Sequence, residues 1–202
     1  MNTKVPTIAI VAVATAAAVG GTYFGARYER AQMNRPEVQL KTAVAALKSG
    51  SDMAAVRLLT PLAAKGDTRA QYWLGDIYEN GLGVKKDVAR AIGLFEKAGG
   101  KGFRLAQARL GSIFFHGDEI VQDVAKARQW LRRAALAGDS LSALYLGQIY
   151  RDGLGIPKDP VESYAWFEVS TLLKNAEARA KALSDEMRKP ETLDKKKAAP
   201  KS

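Results

Sequence analysis

The chain has 202 residues, with 31 Lys and Arg against 21 Asp and Glu, a formal net charge of +10, and no cysteine. The missing thiols exclude a disulfide framework, a thiolate metal site, a lipidated-cysteine anchor and a cysteine nucleophile. A single histidine leaves little from which to build a metal centre or a histidine-based acid–base site.

The first 36 residues form a segment of their own. Lys4 precedes an uncharged, mostly apolar stretch at residues 5–24, and Arg27, Glu29, Arg30 and Arg35 follow it. About 20 apolar residues suffice to span a bilayer, although richness in alanine and glycine makes the drive to insert modest. Two readings compete here: an uncleaved single-pass membrane anchor, and a secretory signal cut after small residues, with Ala16 and Ala18 as the small positions. Basic residues on both flanks leave orientation open on charge alone. The short amino-terminal flank and the signal-like layout favour export. The expectation is therefore a single-pass inner-membrane protein with its following domain in the periplasm, the alternative being secretion to the periplasm after cleavage.

From residue 37 the chain is periodic. Leu74-Gly75-Asp76-Ile77-Tyr78 returns 36 residues later as Leu110-Gly111-Ser112-Ile113-Phe114 and again as Leu146-Gly147-Gln148-Ile149-Tyr150. Gly66, Gly102 and Gly138 precede the copies, and Asp87, Asp123 and Asp159 follow them, so no insertion interrupts the array. A fixed period of this size signals a helical solenoid, which presents surfaces to partners more readily than it builds a deep pocket. The same register predicts an earlier, degenerate pair: a shortened helix at residues 36–48, then a helix at residues 52–64 carrying Ala55, Val56, Leu58, Leu59 and Leu62.

Within each clear repeat, apolar residues such as Ala70, Leu74, Ile77 and Tyr78 recur at i, i+4, i+7 and i+8, the stripe of an amphipathic helix, here helix A. Glycine inside that helix costs about 0.8–1 kcal/mol relative to alanine. Its return at Gly75, Gly111 and Gly147 predicts close approach of a neighbouring helix. Paired glycines in the turns, Gly81 with Gly83 and Gly153 with Gly155, predict positive-φ backbone. In the second repeat Glu119 replaces the second glycine, which predicts a different turn and a local acidic spot.

Helix B opens on an aspartate. Asp159-Pro160-Val161-Glu162 reads as a cap, a proline at the first helical position and a capping-box glutamate. The buried side of helix B is expected to run through Ala91, Leu94, Phe95 and Ala98, then Ala127, Trp130, Leu131 and Ala134, then Ser163, Trp166, Phe167 and Ser170. Continuing the register predicts a terminal helix A at residues 175–188 with Asn175 as its cap. The last segment, residues 189–202, is a basic extension expected to be disordered, with Lys189, Lys195, Lys196, Lys197, Lys201, Pro190 and Pro200. Its plain role is solubility. Its candidate contacts are anionic lipid, an acidic partner or an anionic polymer.

Together Gly66-Asp67, Ala70-Gln71, Leu74 to Tyr78, the Gly81 to Asp87 turn and the closing aromatic helix resemble the Sel-1-like repeat, a relative of the tetratricopeptide repeat. The resemblance covers residues 66–188. It implies an all-α fold, a right-handed α/α superhelix of stacked antiparallel helix pairs with a period of 36 residues, that mediates protein assembly. It supplies no catalytic residues.

The residues themselves also argue against an enzyme. His116 occupies the turn position of Asn80 and Asp152, no serine sits in a Gly-x-Ser-x-Gly elbow, and no glycine loop carries the lysine and hydroxyl of a phosphate-binding loop. No cofactor pattern and no metal-ligand cluster is present. Positions that vary between repeats on helix A are the better candidates for recognition: Arg69/Leu105/Leu141, Trp73/Arg109/Tyr145, Asp76/Ser112/Gln148 and Asn80/His116/Asp152. Trp73, Arg109 and Tyr145 stand out because these residue types dominate interface hot spots. The bland alternative packs Trp73 and Tyr145 between repeats. A second candidate surface is the basic helix B of the second repeat, with Lys126, Arg128, Arg132 and Arg133.

The sequence thus predicts a membrane-tethered scaffold of a bacterial cell-envelope complex that binds a protein partner through Arg69, Trp73, Asp76, Arg109, Ser112, Tyr145 and Gln148. The rival reading is a binder of cell-wall glycan or anionic polymer. Nucleic acid is disfavoured, because no reader motif accompanies the charge.

Overall fold

The computed structural model describes residues 35–187. The expected anchor at residues 5–24 and the basic tail at residues 189–202 lie outside the described residues. Among the described residues there are eight α-helices and no strand: α1 (Pro36–Lys48), α2 (Asp52–Ala64), α3 (Thr68–Asn80), α4 (Val88–Gly100), α5 (Arg104–His116), α6 (Val124–Leu136), α7 (Ser140–Asp152) and α8 (Pro160–Met187). Contacts divide the chain into two compact units, split between Lys86 and Asp87.

In the first unit α1 packs on α2 and α2 on α3. The core is Leu40 and Ala43 from α1, Ala55, Leu59 and Leu62 from α2, and Ala70, Leu74, Ile77 and Tyr78 from α3. The degenerate pair predicted at residues 36–48 and 52–64 is present, but its first helix is not shortened, since α1 has 13 residues as α3 does. Asp67 caps α3 by accepting from the amides of Arg69 and Ala70. Burial works against ionisation of its carboxyl, but those amides and the Arg69 guanidinium outweigh it and hold the pKa below the usual carboxylate value. The side-chain amide of buried Gln71 donates to the Ala63 carbonyl at 3.1 Å, tying α3 to the end of α2.

In the second unit α4 to α8 pack each on the next. Ala91, Phe95, Ala98, Ala106, Leu110, Ala127, Leu131, Ala134, Ala143 and Ile149 are wholly buried. The expected close approach holds for both helix A glycines of this unit. A Cβ on Gly111 would lie 2.5 Å from the Leu131 side chain, and one on Gly147 would lie 2.5 Å from the Phe167 ring. Gln107 repeats the role of Gln71, donating to the Gly99 carbonyl at 2.9 Å. Antiparallel packing of α7 and α8 is written in two side-chain bonds, Ser163 Oγ to the Gly147 carbonyl and Ser170 Oγ to the Ser140 carbonyl.

Asp87, Asp123 and Asp159 cap α4, α6 and α8 as expected. The capping box at Asp159 is only half formed. Glu162 accepts from the Trp166 indole instead of reaching back, and the Asp159 amide donates to the Tyr150 carbonyl. In the second repeat the changed turn follows from side-chain sterics. No described non-glycine residue has positive φ, so Glu119 does not copy Gly83 or Gly155.

The terminal repeat departs from the predicted helix break at Asn175. α8 runs without interruption from Pro160 to Met187. Each earlier connection from helix B to helix A ends on a left-handed glycine, Gly66, Gly102 or Gly138. The next amide in each case closes the helix by bonding the carbonyl five residues back, Leu62, Ala98 or Ala134. One period after Gly138 stands Lys174. A lysine is costly in the left-handed region and at home in a helix, so nothing stops α8 there.

Candidate functional site

The residues predicted to bind a partner fall into both units. In the first, Arg69 is exposed and reaches back to the Asp67 carboxylate at 3.4 Å. Trp73 is half-buried with its ring edge-on to Tyr72, 5.4 Å between centroids. Asp76 accepts from the Asn80 side chain at 3.1 Å. Arg69 and Asp76 are therefore both engaged in local contacts.

In the second unit Arg109, Ser112, Tyr145 and Gln148 are all half-buried. The structure brings Tyr145 of α7 onto the end of α5. Its ring stacks on Phe115 at 4.9 Å and lies edge-on to His116 at 5.3 Å, with its hydroxyl 3.4 Å from His116 Nε2. This aromatic cluster joins two successive repeats. Phe115 went unnoticed in the sequence, although its place in the repeat, Glu79/Phe115/Arg151, varies as much as the columns that were singled out. Leu105 and Leu141, one column over, are 42% and 53% exposed, so the helix A surface combines apolar and polar groups in reach of solvent.

On α6, Lys126 pairs with Asp123 at 3.3 Å and lies over the Phe114 ring, and Arg133 covers the Trp130 ring at 4.7 Å. Bonding from the Lys126 amide, together with the Lys126 ammonium, holds the Asp123 carboxyl below its usual pKa. Arg132 is exposed and Arg128 half-buried. The helix is basic, but half of its charge is already engaged locally.

A cleft of about 430 Å³ opens where α7 turns into α8 and is lined by Arg151, Lys158, Pro160, Ser163, Tyr164 and Phe167. The aromatic rings of Tyr164 and Phe167 and the cationic side chains of Arg151 and Lys158 share its lining. Arg151 makes a two-pronged contact with Asp152, both bonds at 2.8 Å, which orients the guanidinium and holds the Asp152 carboxyl below its usual range. No group of three or more metal-ligating side chains occurs among the described residues, and none of their helices is long and apolar enough to cross a membrane.

The Sel1 repeat family model matches residues 68–103, 104–139 and 140–173, together more than half of the chain. None of the curated proteins matches it. Among solved structures, a Sel1 repeat protein from Oxalobacter formigenes is 27% identical with a TM-score of 0.61, over 67% of this chain and 54% of that one. A protective antigen of uropathogenic Escherichia coli strains, displaying an SLR fold, is 26% identical with a TM-score of 0.64, over 78% of this chain and 35% of its own. The chain thus spans about half the length of the first structure and about a third of the second. Sel1 repeats generally mediate protein–protein interaction, and their helix pairs stack into a solenoid. From its three registered repeats and its all-helical fold, the chain belongs to the Sel1 repeat family.

Proposed function

We propose that the chain is a membrane-tethered scaffold of a bacterial cell-envelope complex, anchored through residues 5–24 with its repeats in the periplasm, and that it holds a protein partner on the helix A surface. The observation that carries this reading is the division of labour on helix A. Leu110, Ala143, Leu146 and Ile149 fill the core, while the columns of Arg109, Ser112, Tyr145 and Gln148 keep partial access to solvent beside exposed Leu105 and Leu141. Stacked repeats hold such side chains at fixed spacing, and a tether raises the effective concentration of a partner at the membrane.

The test is crosslinking and capture from membranes with the full chain and with Trp73, Arg109 and Tyr145 all changed to alanine. Loss of one defined partner, with helix content and Tm retained, is the expected result. An unchanged partner set overturns the helix A surface. Absence of any protein partner, together with salt-sensitive binding to anionic polymer, favours the rival glycan or polymer binder, for which exposed Arg132 beside Arg133 is the supporting feature.

A further inference from the structure

The cleft at the end of the second unit is the place where a further helix A would lie. One period earlier, α7 packs against α6, and Tyr145 of α7 stacks on Phe115 of α5. The burial of helix B follows from that cover. Phe95 and Leu131 are wholly buried, yet Phe167 at the same place in the repeat is only half-buried. Gly99 and Ala135 are buried, yet Thr171 is exposed. Arg128 is half-buried, yet its counterpart Tyr164 is 68% exposed. Lys174 stands where a turning glycine would be, α8 runs on through it, and among the described residues no helix folds back over this seat.

We propose that this cleft is a docking seat for an amphipathic helix of a partner protein that lays its apolar face on Tyr164 and Phe167 and sets acidic side chains against Arg151 and Lys158. The seat rests on the scaffold reading and adds to it a second surface, distinct from the helix A face. Its chemistry selects the occupant. In the covered repeat the position of Arg151 is Phe115, which receives an aromatic ring from α7. At the open end the same place holds a guanidinium bonded in two places to Asp152, with Lys158 lining the same cleft, so Asp152 offsets one of the two positive charges and one is left over. A carboxylate is the natural group to meet that remaining positive charge. The chain's own residues 188–202 do not match, since they carry six Lys and Arg with no apolar helical stripe.

The test uses the full chain in detergent and two labelled, lactam-stabilised helical peptides. One has the sequence of residues 140–152, and the other is the same peptide with Tyr145→Glu, which puts a carboxylate at the place facing Arg151. Fluorescence anisotropy should give binding of the acidic peptide at least about fivefold tighter than the parent, weakened by salt. The double change Lys158→Glu with Tyr164→Glu should weaken it about tenfold or more. Should that variant lose its helix content, Lys158→Glu alone carries the test, with reversal of the preference between the two peptides as the expected result.

No binding of either peptide, equal binding of both, or binding indifferent to these substitutions overturns the proposal. Binding that appears only after removal of residues 188–202 assigns the seat to the chain's own tail and also overturns it. A dimer in sedimentation equilibrium that Tyr164→Glu dissolves assigns it to a second copy, with the same consequence. The Trp73, Arg109 and Tyr145 triple variant should retain peptide binding, so failure of the seat and failure of the helix A surface are read separately.

Discussion

Two ends of the second unit are built from the same repeat and finish differently. On α4 and α6, Phe95 and Leu131 are sealed. On α8, Phe167 stays half-open and the helix runs on through Lys174 to Met187, with nearly all the side chains described from Lys174 onward exposed. The apolar pattern of the three helices is alike, so that pattern does not decide their burial. What decides it is whether a following helix A returns to cover the face, and the connections differ at their turning residue, glycine at 102 and 138 against lysine at 174.

The largest expected effect separates the two ends directly. Phe95→Ala should cost about 3–5 kcal/mol by loss of transfer energy and creation of a cavity. Phe167→Ala should cost no more than about half of that, because its side chain already meets solvent. Equal losses in urea denaturation would break the comparison. Next in size is Gly111→Ala, whose methyl would collide with Leu131. It should lose about 1–3 kcal/mol, read as a lower Tm with an unchanged far-ultraviolet spectrum.

Lys174→Gly tests the connection itself. A glycine there should cost about 1 kcal/mol of helix stability, and hydrogen exchange should accelerate beyond residue 174 while α7 stays protected. Unchanged exchange would mean that the continuity of α8 rests on something other than this side chain. Gly93→Ala is the opposite control. A Cβ there meets nothing within 4 Å, so stability should rise by about 0.5–1 kcal/mol.

The smallest effect concerns the caps. The folded pKa of Asp123 is depressed, so its contribution is fully present above the ordinary carboxylate value near 4 and is lost as pH falls through the lower folded value. Asp123→Asn keeps an acceptor for the Lys126 amide but has no charge to lose. Its acid unfolding curve should be flatter below about pH 4 than that of the parent chain. Identical curves would remove Asp123 from the acid response.

Much of the fold was legible because its causes are local and repeated. A 36-residue period exposes the helix A stripe at Leu74, Leu110 and Leu146, the caps at Asp87, Asp123 and Asp159, and the degenerate first pair. Helical glycines announced close packing, and Gly111 and Gly147 meet Leu131 and Phe167 as that argument requires. The site was less legible. Tyr145 stood out by residue type, but its partners Phe115 and His116 belong to the preceding repeat and lie 29 and more residues away in sequence. The half-formed capping box at Asp159 was hidden for a related reason, since the Trp166 indole competes for Glu162.

What the sequence by itself determined was the repeat: its period, caps, glycine turns and core columns, each specified within about 36 residues by backbone sterics and apolar periodicity. The tertiary structure alone decided which copies of those columns are covered. It seals Leu131, leaves Phe167 and Tyr164 facing a cleft, and gathers Phe115, His116 and Tyr145 into one cluster. Burial is a property of the neighbouring helix as much as of the residue, and a periodic sequence writes the same residue types whether or not a neighbour arrives.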